Sequence, residues 1–387
     1  MKNFIKEKLK KILSILSSGK KIPFDMSLPE DILAINNIFK KKGYKLYVVG
    51  GAVRDALLGK VPKDFDLATD AVPDKVEEIL TDAGFRTLPT GKAFGVINVF
   101  TDSGEYEIAT FRSDIGAGRR PDAVKFTNIK KDVKRRDLTI NALFYNIDKK
   151  EIVDLVGGIE DLEKGVVKTV GRPEERFCED RLRILRAIRF AARFGSNLAD
   201  EVNNALMKDA SLKGISGERI RDEFIKGIIS AKSTKQFLEL IKKYDLFDCI
   251  FGGLNINYEF TSSKDPIIVI ASLLKNNDTS VVNKKLNKLA YTIIEVRNIV
   301  FLINLLRLTP ENAIVLKRAQ KNTTLSDDQI KNFGQINGID KKILDAFIKF
   351  KLTVNGDDLM KQLNLKPGKE LGNAIDQAEY ENFMGFL

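Results

Sequence analysis

Strand-like patterning in this chain stops near Ile152, and the residues beyond it are spaced for helices. Between Leu46 and about Tyr145, short apolar runs alternate with helical stretches, the pattern of a sheet covered by helices. Tyr44–Gly50 reads as a strand, Ala52–Leu58 as a short helix behind paired glycines, and Phe65–Thr69 as a second strand. Pro73 is a start signal for a helix over Asp74–Ala83. Phe94–Thr101 and Glu105–Phe111 flank Asp102-Ser103-Gly104, a hairpin signature. Ser113–Pro121 is rich in glycine and arginine without apolar period and reads as a mobile loop. Cys178–Phe194 is strongly helical, and the remainder repeats helical spacing broken by Gly, Asn or Ser. The expected fold class is α+β, with an α/β head and a mostly helical remainder. At 387 residues the chain has room for two or more packed units.

Composition narrows the chemistry. There is no histidine, which removes imidazole bases, the Ser-His-Asp triad and the HExxH zinc site. Two cysteines, Cys178 and Cys249, cannot build a disulfide framework or a cysteine-ligated structural zinc site. The composition suits a reducing, cytoplasmic setting. No stretch approaches the ~18 apolar residues of a membrane span. Residues 1–21 lack the apolar core of a secretory signal and read as a basic amphipathic helix, with Ile5, Leu9, Ile12, Leu13 and Leu16 on one stripe. That helix suits packing on the next domain, a membrane surface or an RNA. The net charge of +11 points to a polyanionic partner, nucleic acid first, or to a merely lysine-rich surface.

Two constellations carry chemistry. Gly50-Gly51-Ala52-Val53-Arg54-Asp55 is followed by Asp64-Phe65-Asp66. Paired glycines at a strand-to-helix turn let backbone N–H groups approach an anion, and Arg54 can grip a phosphate. Asp64 and Asp66, two apart on an expected strand, would share a face and could meet one pair of hard cations. Glu107, on a later strand, is a third candidate acid. Paired glycines alone are an ordinary turn, and Asp-x-Asp alone a solvated strand; their fixed order gives them weight together. The second constellation is the helix from Glu179. Asp180 offers acceptors and Arg183 donors at i and i+3, a pair that could face the Watson–Crick edge of cytosine or adenine. Glu179 could orient Arg183, and Arg186 and Arg189 could meet phosphates. An ordinary salt-bridged helix is the alternative.

Gly50–Thr69, GGAVRDALLGKVPKDFDLAT, resembles the signature of class II nucleotidyltransferases of the polymerase β superfamily, the tRNA CCA-adding enzymes and bacterial poly(A) polymerases. Further motifs follow in order: RRDLTINAL at Arg135–Leu143, DLVGGIEDL at Asp154–Leu162, EDRLRILRAIRF at Glu179–Phe190 and ERIRDEF at Glu218–Phe224. The resemblance covers about residues 46–226, and no motif is placed beyond it. It implies a polymerase-β-like head with a short mixed sheet over 22–151, after the 1–21 helix. A neck with the nucleotide-selecting helix would span 152–226, and a helical, tRNA-binding body and tail 227–387.

The resemblance also implies roles. Gly50, Gly51 and Arg54 would meet the triphosphate, with Arg136. Asp64 and Asp66, supported by Glu107, would hold two Mg²⁺ ions. Asp137 and Asn141 would lie near the ribose, while Asp180 and Arg183, continued by Arg186 and Arg189, would select CTP and ATP. Asp154–Gly158 would be a hinge. Phe111–Pro121 resembles the loop that switches the family from C to A, with Arg112, Arg119 and Arg120 as its working positions. That loop and the missing basic block of many poly(A) polymerases favour a complete CCA-adding enzyme, and the lack of histidine leaves out the phosphohydrolase activity fused to some relatives. Poly(A) polymerase, CC-adding and A-adding enzymes remain alternatives, as does an inactive RNA-binding module. Monomer and dimer both stay open.

Overall fold

The computed structural model describes residues 21–116 and 123–387. The chain divides into two compact units, one ending at Ser211 and one running Leu212–Leu387.

The first unit is built on strands β1 (Lys21–Pro23), β2 (Leu46–Val49), β3 (Asp66–Thr69), β4 (Arg86–Leu88), β5 (Val96–Thr101) and β6 (Gly104–Thr110). After them come β7 (Arg112–Ile115), β8 (Ala123–Phe126), β9 (Leu143–Asn146), β10 (Glu151–Asp154), β11 (Val166–Val167) and β12 (Asn197–Leu198). Eight strands form one sheet in the order β1-β10-β9-β2-β3-β6-β5-β4. All its neighbours are antiparallel except β3 and β6, so the sheet is mixed, as expected.

Alternation along the central strands explains why they are apolar throughout. Leu46 and Val48 of β2, Leu143 and Tyr145 of β9 and Ile152 of β10 enter one core with Ile32, Ile35 and Phe39 of helix Glu30–Lys41 and Val76, Ile79 and Leu80 of helix Pro73–Asp82. Tyr47, Val49, Phe144 and Val153 point the other way, into a smaller cluster with Phe111 and Val133. A sheet buried on both faces leaves no polar side to its middle strands.

Three expectations change. Lys21, the last residue of the expected N-terminal helix, opens β1 against β10; the rest of that helix lies outside the described residues. The expected loop from Ser113 begins as a strand, because β7 pairs antiparallel with β8. Arg112 is on this ribbon, while Arg119 and Arg120 lie outside the described residues. The helix expected over Cys178–Phe194 is two helices, Pro173–Glu179 and Leu182–Phe194, broken at Asp180, whose backbone is extended at φ −151°, ψ 105°. Beyond β10 the first unit is helical apart from the two-residue parallel pair β11–β12.

In the second unit only helices and connections occur among the described residues, from Gly217–Ser230 to Lys369–Met384. Phe224 packs edge-on against Phe251 and tilted against Phe237 inside it, with centroids 5.5 and 5.7 Å away. Phe350 meets Phe383 at 5.3 Å nearer the C-terminus. No helix of the described residues is long and apolar enough to cross a membrane.

Candidate active site

β2 ends at Val49 and helix Gly51–Leu57 begins at once, so Gly50 must turn the chain. It does so at φ +72°, which glycine adopts freely. Its N–H donates to the Leu143 carbonyl of β9 at 3.0 Å. A Cβ there would lie 3.6 Å from the Asn141 carbonyl and 3.9 Å from Arg136 Nη1, so the turn passes beside both. Arg54 is not the open phosphate grip that its position suggested: it is 3% exposed. Its Nε and Nη2 each donate to Asp55 at 2.9 Å, and Nη1 donates to Asn141 Oδ1. The guanidinium also lies 5.2 Å from the ring centroids of Phe190 and Phe194. A phosphate could reach Arg54 only by displacing these partners. Asp55 in turn accepts from Arg193 at 3.1 Å.

Asp64 is not on a strand. β3 begins at Asp66, and Asp64 lies just after the bend at Lys63. Strand alternation therefore does not account for the two acids, although Asp64 lies near enough for its charge to act on Asp66. β3 runs parallel to β6 with Leu67 opposite Ile108, which sets Asp66 beside Glu107 at the preceding rung. Asp64, Asp66 and Glu107 line an open concavity of about 670 Å³ with Lys63, Glu105 and Tyr106. Enclosure raises the Asp66 carboxyl above the usual aspartate range; Arg136 opposes this and Asp64 adds to it. Glu107 is raised by enclosure first, then by Asp66 and Glu105. Carboxylates that raise one another's pKa mark a place short of positive charge, which a divalent cation supplies. Among the described residues no group of three or more His, Cys, Asp or Glu is arranged to hold a metal. The fit rests on Asp64 and Asp66, which suits Mg²⁺ because phosphates and water complete its shell.

Residues 132–137 carry Arg136, whose charge acts on Asp66, and are held by arginines of the helices that follow. Arg136 is bound to Asp132 at 3.1 Å and lies 4.6 Å from the Phe144 ring centroid. Asp137 accepts from Arg186 Nε at 2.7 Å, and its other oxygen from the Leu138 N–H at 2.7 Å. Burial by itself would raise Asp137, but Arg186, the Leu138 N–H and Arg183 together hold the carboxyl below the usual range. Arg186 therefore serves Asp137 in this structure. Arg189 is enclosed, with its guanidinium 4.3 Å from the Phe190 ring centroid, and does not stand open for a phosphate.

The helix break reshapes the Asp180–Arg183 pair. Asp180 is not one turn below Arg183 on a continuous helix. It sits in the break, and its Oδ1 accepts from the Leu182 N–H at 3.1 Å. Arg183 occupies the first turn of the second helix. Its Nη1 donates to Glu179, as its spacing suggested, and to the Arg176 carbonyl at 3.2 Å; its Nη2 donates to the Arg135 carbonyl at 3.0 Å. Those partners use three of the five N–H groups of a guanidinium, and Nε is not among them.

Sequence reasoning passed over Asp132, Asp55 and Arg176. Asp132 was signalled by arginines at i+3 and i+4, and Asp55 by its neighbour Arg54. Arg176 was signalled by Glu179 at i+3, with which it forms an ion pair, but its bond to the carbonyl of Lys134, 2.8 Å away, carried no local signal.

A family model described as "Poly A polymerase head domain" matches residues 46–168. A second, "Probable RNA and SrmB- binding site of polymerase A", matches 197–256, which contains the last motif placed from sequence, Glu218–Phe224, and extends past it. The CCA-adding enzyme of Ligilactobacillus salivarius is 33% identical over 91% of this chain and 92% of its own length. The chain belongs to the class II family of CCA-adding enzymes and bacterial poly(A) polymerases. Two solved members have the same fold. The Bacillus stearothermophilus CCA-adding enzyme in complex with CTP has a TM-score of 0.67 at 24% identity, covering 92% of this chain and 93% of that one. The Thermotoga maritima enzyme complexed with tRNA has a TM-score of 0.68 at 22% identity, covering 93% of each. The head-domain model spans the glycine turn, the acidic cleft and residues 132–137 together.

Proposed function

We propose that this chain adds C, C and A to the 3′ end of tRNA from CTP and ATP, without a nucleic-acid template. The observation that carries the reading is the pairing, within one compact unit, of the Asp64–Asp66–Glu107 cleft with an arginine held in place by its neighbours, Arg183. Likeness to a CCA-adding enzyme along nearly the whole chain supports it.

Asp64 and Asp66 would hold Mg²⁺, two ions in the full arrangement, with Glu107 supporting them. When bound, the metal lowers the pKa of the primer hydroxyl and offsets charge on the phosphates. Gly50 and Gly51 bring backbone close to the triphosphate, and Arg136 faces it from beside Asp66. Arg54 would act from behind, keeping Asn141 and the turn in place. Asp137 and Asn141 would border the ribose. Asp180 and Arg183 would read the base, with Arg186 and Arg189 setting the wall on which it rests. Arg112 anchors the ribbon leading to Arg119 and Arg120, the proposed C-to-A switching segment.

The proposed division is a head over 22–151, a neck over 152–226 and a tRNA-holding body and tail over 227–387. A cytoplasmic location goes with this substrate. Basic helical surfaces would take tRNA by shape and phosphate contact.

The test is incubation with Mg²⁺ and a tRNA transcript lacking CCA. CTP alone should give products ending at CC, and both nucleotides products ending at CCA. Long A tails on any RNA would make the chain a poly(A) polymerase, and arrest at CC with ATP present a CC-adding enzyme.

A further inference from the structure

Asp132 ends the short helix Ile129–Asp132 and is 1% exposed. Its Oδ1 accepts from Arg135 Nε at 2.9 Å and from the Arg112 backbone N–H at 3.2 Å. Its Oδ2 accepts from Arg136 Nε at 3.2 Å and Nη2 at 3.1 Å. One helical turn makes this possible, because a side chain at i meets those at i+3 and i+4. The two arginines would repel each other without it; burial raises the Asp132 carboxyl, yet their combined charge holds it below the usual aspartate range.

The other side of the same strip is gripped from the helices that follow. Arg176 Nη1 donates to the Lys134 carbonyl at 2.8 Å, Arg183 Nη2 to the Arg135 carbonyl at 3.0 Å and Arg186 Nε to Asp137 at 2.7 Å. Arg183 therefore takes part of its orientation from a carbonyl whose own residue is tied down by Asp132. The Arg112 N–H adds the ribbon β7–β8 to the same carboxylate.

We propose that Asp132 is a positioning residue for base selection, acting on Arg183 through Arg135. The proposal rests on the reading of Arg183 as a base-reading group. Without Asp132, Arg183 keeps Glu179 and the Arg176 carbonyl, so it stays in the site. It loses a fixed third point, and the guanidinium plane is free to tilt about the other two. Hydrogen bonds weaken steeply with angle, and the choice of cytosine over uracil consists of such bonds. Fidelity should therefore fall by more than rate.

The experiment uses the full chain with a tRNA transcript lacking CCA. kcat/KM is measured for CTP and for UTP at the first added position, in the wild type, Asp132→Asn and Arg135→Ala. The CTP/UTP ratio does not depend on how much of a preparation is folded, so a merely structural role leaves it unchanged. Asp132→Asn should lower the ratio by roughly tenfold, the scale of one displaced base contact. Arg135→Ala, which keeps the carbonyl and alters a partly exposed side chain, should lower it less. Both variants keeping the wild-type ratio would overturn the proposal. If Asp132→Asn does not fold, an unchanged ratio in Arg135→Ala overturns it alone. A wild type that adds neither C nor A would sink the enzyme reading itself, a separate result.

Discussion

The unit ending at Ser211 keeps charge inside: among its described residues Arg54, Asp132, Asp154 and Arg189 are buried. In the unit Leu212–Leu387 the buried charged side chains among described residues are Glu223 and Glu379. The helix ends differ in the same sense. In the second unit Ser233, Asp265, Asp278, Thr292, Ser326 and Asp340 each cap a helix with their own side chain. In the first, Asn128 caps the short helix Ile129–Asp132 in this way, whereas the helices that begin at Pro29, Gly50, Val72, Gly157, Arg172, Arg181 and Ala199 have no such cap. The second unit is stabilised by apolar packing and local helix-start signals. The first holds its elements through long-range polar contacts, because the groups that must meet a nucleotide have to be fixed without being neutralised.

The largest effect should come from the acidic cleft. Asp66→Asn should lower nucleotide incorporation by ~10³-fold, measured by single-turnover kinetics, as removal of a metal ligand removes several kcal/mol of charge stabilisation. The same change should leave stability equal or slightly higher, since burial, and then Asp64, disfavour the charged form of Asp66. A clear loss of melting temperature would mean that the cleft is structural and would erase the contrast between the units.

Phe237→Ala should cost the second unit about 3–5 kcal/mol in denaturant unfolding, the usual cost of emptying an aromatic core position. Gly227, over which that ring lies, has no room for a side chain. In whatever fraction stays folded, the CTP/UTP preference should not change.

Asp154→Ala removes the acceptor for four backbone N–H groups, those of Val156, Gly157, Gly158 and Ile159. A cost of about 2–3 kcal/mol is expected, since buried donors are left unsatisfied. Hydrogen exchange should quicken at 156–159 and stay unchanged in the second unit. Ser326→Ala should cost only about 1 kcal/mol, the value of one helix cap, with protection lost at the start of Asp327–Asn337.

Acid gives the smallest contrast. Burial opposes ionisation of Asp132 and Asp137, but their arginine partners prevail and hold both carboxyls below the ordinary aspartate range. Their stabilisation is fully present above the unfolded-state pKa and is lost as pH falls through the folded one. Exchange in the first unit should therefore quicken in acid before that in the second, and Asp137→Asn should flatten this difference. Equal acid sensitivity in the two units would show that the buried pairs contribute no net stability.

Much of the site was legible because its signals are local. Paired glycines between a strand and a helix, the acids after them and the hairpin at Asp102-Ser103-Gly104 each depend on a few consecutive residues. The break at Asp180 was not, since the residues around it all have good helical spacing. The pairing of β7 with β8 was hidden for the opposite reason, as short polar strands carry little apolar alternation.

The amino-acid sequence alone determined the mixed head and helical remainder, the chemistry of carboxylates without histidine, and the order of the family motifs. Those follow from periodicity and residue type, which act over a turn or a strand. Only the tertiary structure decided that Arg54 is enclosed, that Asp66 neighbours Glu107 across parallel strands, and that Asp132 anchors the segment to which Arg183 is bound. These depend on which strands lie side by side and which carbonyls face a guanidinium, and residues far apart in the chain settle both.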